Sequence, residues 1–494
     1  MEVRGDRGRF AAAAGRAFDL YRAGRLAEAL TVLDGMGREF APDPQLLNLA
    51  AGCHKGLGDP EQAAACWREA LRLSPHDASV INNLGVLAWE RGRPAEAESA
   101  YRQALRIAPD YPSARYNLGV LLYESGQRAE AETHFRRVLS VEPDHAGAWN
   151  NLGNLCRETG RLAEAEAAFR RALAIRPDFA DVLWNLSLLY LAQGRYAEGW
   201  PLHEARHHPL KTGWRVVRPE LPFPMWRGEA LAGKSLLLLG EQGMGDQLQF
   251  CRYAPLLKAM GVGRLTLVCS AALCRLMRSL EGVDEVLAHE EHPVLPRHDF
   301  WVMLHSIPHL TGGHIPAVIP YLAPDTTRAA GLHLPEGLFK VGLSWRGDPG
   351  HANDHNRSLP GLTTLAPLWR VPGVFFVSLQ KGRGEEEARR APDGQPLLAL
   401  GDRIGEFADT AAIVARLDLV ITIDSALAHL AGALGKPCWV MLTANGCDWR
   451  WMLEGERSPW YPDGMRLYRQ TQPGDWSAVV CRVGEELSRL TGNP

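Results

Sequence analysis

The chain has 494 residues, 46% hydrophobic and 22% charged, which fits a soluble globular protein with two to four domains, each with its own core. A formal net charge of -3 at pH 7 gives no electrostatic reason to expect nucleic acid as the main partner. Nine scattered cysteines without a Cys-x-x-Cys pair argue for reduced thiols and against zinc, and no run reaches the roughly 18 apolar residues of a membrane span.

The N-terminal basic residues Arg4, Arg7 and Arg9 precede an alanine stretch that Arg16, Asp19 and Arg22 soon break, so no secretory core forms and a cytoplasmic setting is expected. Glycines then recur at Gly24, Gly58, Gly92, Gly126, Gly160 and Gly194, one every 34 residues. Other columns keep that period: Ala29, Ala63, Ala97, Ala131 and Ala165; Leu84, Leu118, Leu152 and Leu186; the aromatics Trp67, Tyr101, Phe135 and Phe169; and Pro75, Pro109, Pro143 and Pro177. The pattern resembles the tetratricopeptide repeat, a helix-turn-helix unit, with Trp149, Leu152 and Gly153 matching its opening signature. Five units run from about Phe10 to Phe179, and a sixth decays after Tyr196, where Gly199 and His203 replace the expected alanine and aromatic. An α-solenoid over residues 1–200 follows, ending by packing on whatever comes next.

One polar column, Asn83, Asn117, Asn151 and Asn185, falls on the first helix of four successive units. On a concave face each amide can both donate to and accept from an extended peptide, so this column is the candidate for binding a protein or peptide. It resembles the asparagine ladder of O-linked N-acetylglucosamine transferases. A purely local role beside the inter-helix loop is the alternative.

Residues 201–232 read as an irregular linker with Pro209, Pro219, Pro222 and Pro224, ordered by Trp214, Phe223 and Trp226. Gly228 to Ser235 matches the nucleotide loop G-x-x-x-x-G-K-S literally. A proline-rich segment precedes it and a strand follows, the reverse of the strand-loop-helix order that a phosphate loop requires, so the match is rejected.

From Ser235 strands and helices alternate. The apolar run Ser235 to Leu239 leads into Gly240, Glu241, Gln242, Gly243, Met244, Gly245 and Asp246, followed by an expected helix from Gln247 to Met260. Strands at Arg264 to Cys269, Val283 to Ala288 and Phe300 to Leu304 complete a first Rossmann-like domain, 233–337. After the proline-rich stretch Gly312 to Gly337 a second such domain, 338–494, has strands at Lys340 to Trp345, Val374 to Leu379, Leu397 to Leu400, Leu419 to Ile423 and Cys438 to Leu442. Helices are expected at Leu362 to Trp369 and at Asp475 to Leu490, the last crossing back over the first domain.

Asp424, Ser425, Ala426, Leu427, Ala428, His429, Leu430 and Ala431, followed by Gly435, Lys436 and Pro437, resemble the nucleotide-sugar segment of heptosyltransferase-like enzymes, glycosyltransferase family 9. Gly243 to Asp246 resembles that family's glycine loop with its aspartate. The resemblance, from Gly233 onward, implies an α/β GT-B fold of two Rossmann-like domains, a nucleotide-sugar co-substrate, and no metal or other cofactor. It places Asp246 as general base on the acceptor side and Asp424, Ser425, Ala426, Leu427 and His429 at the donor. It also puts Arg357 where the family has a phosphate-binding lysine, an exchange that keeps the charge and offers a planar fork.

Sugar transfer needs an acceptor made nucleophilic, a stabilised leaving diphosphate and a donor held in line. The helix opening at Ser425 offers backbone amides to the diphosphate, and Arg357 and Lys381, both beyond strand ends, offer positive charge. Asp424, Ser425 and His429 lie within about one helical turn and cannot line up as a hydrolase triad. Asp246 is either the base that deprotonates the acceptor or a cap of the helix after it. The aromatics Trp449, Trp451, Trp460 and Tyr461 either close the cleft by packing or stack on ligand. The expected activity is transfer of a sugar to a polypeptide held by the repeats. A scaffold that has lost activity, and a transferase acting on a glycan, are the alternatives.

Overall fold

The computed structural model describes residues 2–291, 294–390 and 397–492, with side chains from residue 7 onward. The chain forms two compact units, Met1–Asp178 and Phe179–Pro494. In the first, helices from Glu2–Arg22 to Leu162–Ile175 pair into five antiparallel hairpins. The 34-residue glycine column follows from backbone geometry: Gly24, Gly58, Gly92, Gly126 and Gly160 all have φ between 70° and 82°, left-handed values that favour glycine at the turn inside each hairpin. The aromatic column follows from packing. A Cβ on Gly85, Gly119 or Gly153 would lie 2.7, 2.9 or 2.6 Å from the ring of Tyr101, Phe135 or Phe169, so each aromatic fills a notch within its own hairpin.

The sixth helix pair, Ala180–Ala192 and Tyr196–His203, falls in the second unit. Leu191 and Trp200 belong to the same core as Trp226, Leu236, Phe250 and Trp460, which explains why that repeat lost its alanine and aromatic. The following segment is ordered by buried Phe223 and Trp226, whereas Trp214 is half exposed. Ser235 opens a strand, as the rejection of the nucleotide loop requires, and Lys234 pairs with Asp299 at 3.5 Å.

Two parallel sheets follow. The first has the order β3-β2-β1-β4, with β1 Ser235–Leu239, β2 Arg264–Cys269, β3 Glu285–Ala288 and β4 Phe300–Met303. The second has the order β10-β9-β8-β5-β6-β7, with β5 Phe339–Leu343, β6 Val374–Ser378, β7 Leu397–Ala399, β8 Leu419–Ile423, β9 Cys438–Leu442 and β10 Met465–Arg469. Leu236 and Leu238 of β1 share one apolar core with Val420 of β8 and Val440 of β9.

Several expected helices differ. The helix after β1 begins at Met244 and breaks into Met244–Phe250, a 3-10 turn Cys251–Tyr253 and Ala254–Ala259. Pro255 lacks the N–H that would continue the helical ladder there. Leu362–Arg370 is a 3-10 helix containing Pro367. The last helix, Trp476–Leu490, does not cross back over the first sheet: Val479, Val480, Val483 and Leu487 join the core of β5, β6, β8 and Leu362 to Leu368.

Candidate active site

The glycine loop after β1 and the Asp424 loop after β8 both leave the C-terminal ends of parallel strands, where open α/β sheets bind ligands. The fold presses them together. A Cβ on Gly245 would stand 3.1 Å from His429 Cδ2 and 3.3 Å from Ala426 Cα, so the absent side chain lets the helix Met244–Phe250 meet the first turn of the helix Ala426–Ala433. Gln242 in the same loop has φ 61°, a left-handed conformation that strains a residue with a side chain.

Asp246 occupies the third position of its helix, and its Oδ2 accepts from the Gly243 N–H at 2.8 Å, so it does cap the helix from within the first turn. Its Oδ1 pairs with Arg450 Nη2 and lies 3.4 Å from His305 Nε2. Burial pushes the carboxyl upward, but the Arg450 guanidinium, with His305 beside it, wins and holds the group well below the usual carboxylate range. Arg450 also grips Asp448 with two bonds of 2.9 and 3.0 Å, donates to Gln249 Oε1 at 2.6 Å, and lies 4.5 Å from the Trp449 ring centroid.

Across from it, Asp424 behaves in the opposite way. Burial and the neighbouring Asp448 push its carboxyl up to about 6, against the smaller opposing pull of Arg357 and Arg450. Arg357 Nη1 donates to the Asp424 carbonyl at 3.3 Å, so the arginine stands beside the Asp424 loop, with Asp354 3.5 Å behind it. Ser425 precedes the helix in extended conformation with its hydroxyl 3.1 Å from that of Thr422, leaving the first-turn amides of Ala426 and Leu427 without a carbonyl one turn behind them. Lys381 does not join this group. Its Nζ donates to the Gly401 carbonyl at 2.8 Å and lies 3.7 Å from Glu385, beside β7.

His429 is buried, 3.0 Å from the Tyr461 hydroxyl through Nδ1 and stacked on Trp451 at 5.1 Å. Burial and the Arg450 charge push its pKa down to about 3, so it is neutral and packs the helix against the glycine loop. Trp449, Trp451, Trp460 and Tyr461 are all buried; Trp451 and Tyr461 pack against His429.

In the solenoid, Asn83 Nδ2 donates to Asn48 Oδ1 at 3.1 Å, Asn117 Nδ2 to Asn82 Oδ1 at 2.9 Å, and Asn151 Nδ2 to the Tyr116 hydroxyl at 3.2 Å, each reaching 35 residues back. The column therefore stitches successive repeats, and each amide keeps a second N–H for other partners. Asn185 lies on the helix Ala180–Ala192 of the second unit.

Sequence reasoning missed Arg450, Glu241 and His305 as site residues. Glu241 and His305 follow β1 and β4, and the pairing Leu239↔Met303 sets them side by side, with Glu241 Oε1 2.9 Å from the His305 amide. Buried Arg206 completes the cluster with bonds of 3.0 Å to both oxygens of Glu241. No His, Cys, Asp and Glu grouping suited to a metal ion occurs among the described residues, nor does a helix long and apolar enough to cross a membrane.

Models of the tetratricopeptide repeat match residues 10–34, 54–112 and 116–178, and the model of glycosyltransferase family 9 (heptosyltransferase) matches residues 371–441, which hold Asp424 to Ala431. Protein FlbA of Caulobacter vibrioides (strain ATCC 19089 / CIP 103742 / CB 15) is 31% identical over 324 residues, covering 59% of this chain; the chain spans about half, 52%, of that relative. Similar solved structures include PilW, described as a widely conserved type IV pilus biogenesis factor, at 21% identity over 41% of this chain and 94% of its own, TM-score 0.36. Another is a thermophilic tetratricopeptide repeat protein of Thermus thermophilus, at 24% identity over 37% of this chain and 98% of its own, TM-score 0.32. The chain thus carries tetratricopeptide repeats in its N-terminal part and a glycosyltransferase family 9 segment in its C-terminal part, and is similar to Protein FlbA.

Proposed function

We propose that the chain is a glycosyltransferase of the GT-B kind, moving a sugar from a nucleotide-sugar to a polypeptide acceptor presented by the repeats, by a metal-independent inverting displacement. The observation that carries this reading is the contact at Gly245, which sets a carboxylate from one sheet against a helix N-terminus from the other. The first amides of the helix Ala426–Ala433, the Ser425 hydroxyl and the Arg357 guanidinium stabilise the departing diphosphate. Asp424 holds a sugar hydroxyl. Asp246, the partly exposed carboxylate of the opposing loop, takes the proton of the acceptor hydroxyl as its oxygen bonds to the anomeric carbon and the diphosphate leaves.

Calorimetry with a panel of UDP-, GDP- and ADP-sugars tests donor binding, and product formation with the donor so found tests transfer. Asp246→Asn is expected to bind donor as the parent does and to lose transfer by at least about 100-fold. Absence of heat with every donor would leave a non-catalytic scaffold as the better reading, and full transfer by Asp246→Asn would remove the base assignment.

A further inference from the structure

Behind Asp246 lies a second carboxylate with a histidine between them. His305 Nε2 is 3.4 Å from Asp246 Oδ1, and His305 Nδ1 is 3.3 Å from Glu241 Oε1. Both His305 and Glu241 are buried, whereas Asp246 reaches the surface in part. The ring is fixed by Phe250, 4.1 Å away between centroids, and by His203, which stacks at 6.0 Å. Arg206, itself fully buried, clamps Glu241 from the far side and also bonds Glu204 and Ser306 at 2.7 and 2.8 Å. The groups facing the imidazole are therefore Glu241 from the glycine loop, Asp246 from the helix after it, Arg450 from the tryptophan segment at 3.2 Å, and His203 from the helix Tyr196–His203.

We propose that Asp246 works as the outer member of a relay, Glu241–His305–Asp246, in which His305 orients the carboxylate and receives the acceptor's proton through it. This rests on the reading of Asp246 as general base. Arg450 Nη2 lies 3.2 Å from the same His305 Nε2 that faces Asp246, so the guanidinium, the imidazole and the carboxylate meet at one point. During transfer the acceptor O–H bond breaks, its oxygen bonds to the anomeric carbon and the bond from that carbon to the diphosphate breaks, with the electron pair leaving on phosphate. The proton moves to Asp246 and then to His305 Nε2, giving an imidazolium between two carboxylates while Asp246 recovers its charge and its pair with Arg450. A carboxylate clamped by arginine is a weak base alone, and the imidazole behind it offers the proton a second nitrogen to move to. His305 is a positioning residue, since it acts through Asp246 and does not touch the substrate.

Two measurements on the full chain test the relay. In the first, release of nucleotide from the donor selected by the calorimetric panel is followed from pH 5 to 9. His305→Gln, which keeps a hydrogen-bonding group but cannot hold the proton, is expected to lower kcat about 10- to 100-fold with KM for donor unchanged and to erase the acidic limb of the profile. Glu241→Gln is expected to lower kcat less. A His305→Gln enzyme with the parent kcat and profile overturns the relay. The second measurement needs no activity: in protein labelled with 15N-histidine, the ring-nitrogen chemical shifts of His305 are expected to change in both Asp246→Asn and Glu241→Gln. Unchanged chemical shifts in both variants overturn the relay even where no donor turns over, whereas loss of donor binding alone counts against the transferase reading.

Discussion

Two arginine–glutamate pairs invite comparison, one in each unit. Arg161 reaches 29 residues back to Glu132, with bonds of 2.7 Å to both carboxylate oxygens; Arg206 reaches 35 residues forward to Glu241, with bonds of 3.0 Å to both. Both pairs tie one element to the next. Their surroundings differ completely: the side chains of Arg161 and Glu132 are 35% and 20% exposed, those of Arg206 and Glu241 0% and 1%. At the solenoid surface water and salt screen the charges, and the repeats hold together through their alanine and aromatic columns. Inside the second unit each charge has lost its hydration, and only its partners, Arg206 and the His305 amide for Glu241, compensate for that loss.

Breaking the buried pair is the strongest test of that contrast. Arg206→Met strands Glu241 without its cation and is expected to cost about 3–5 kcal/mol in urea unfolding of the full chain. The double variant Arg206→Met with Glu241→Leu removes both charges and is expected to recover part of that loss. A cost under about 1 kcal/mol for the single change would make the buried pair no different from a surface one. The pH dependence has a definite sign. Glu241 is held well below its usual range, chiefly by the Arg206 charge against its burial, so its stabilising contribution is present above the unfolded pKa and lost as pH falls through the folded one.

Asp424 sharpens the comparison because it is half-buried with a second carboxylate, Asp448, as the largest charge acting on it. With its pKa raised from 3.8 to about 6, its neutral form is the favoured one, so its contribution is complete below about pH 4 and lost as pH rises through 6. Asp424→Asn is therefore expected to stabilise the protein by about 2 kcal/mol at pH 8, allowing for partial solvent screening, and by nothing at pH 4. Melting temperatures of parent and variant across that range check it; equal gains at both ends would mean that the carboxylate is not the source. Donor binding offers a second reading of the same group: affinity for the anionic diphosphate is expected to rise as pH falls through about 6 in the parent and to stay level in Asp424→Asn.

What the sequence discloses divides along the same line. Gly24 and its column, Gly85 with Tyr101, and the glycine loop at Gly245 are legible because a backbone angle or a missing Cβ leaves its mark at one position and repeats or sits in a short motif. The Asp424 segment is legible for the same reason: strand, loop and helix are contiguous. Arg450 pairs with Asp246 across 204 residues, and His305 meets Glu241 only because β4 lies beside β1 in register, so no local pattern announces either. Lys381 shows the converse case. A cation just past a strand end looks suited to phosphate, yet Glu385 and the Gly401 carbonyl draw it toward the β7 edge. β10 escapes a reading of the sequence because its alternating Met465, Arg466, Leu467, Tyr468 and Arg469 sit at the sheet's edge, after a segment of tryptophans and turns.

The smallest effect belongs to the solenoid pair and completes the contrast. Glu132 is held at about 2, first by its hydrogen bonds from Arg161 and then, against burial, by Arg136, so on charge alone the pair looks as strong as the buried one. Both side chains meet solvent, however, and Arg136 stays beside Glu132 when Arg161 is removed. Arg161→Ala is expected to cost no more than about 1 kcal/mol at low salt and less than half of that at 1 M salt, where the screening length falls to about 3 Å. The cost of Arg206→Met should change little over the same salt range, because ions do not reach a pair from which water is excluded. Urea unfolding of the two variants at low and high salt separates the cases, and an equal salt response would show that burial does not distinguish them.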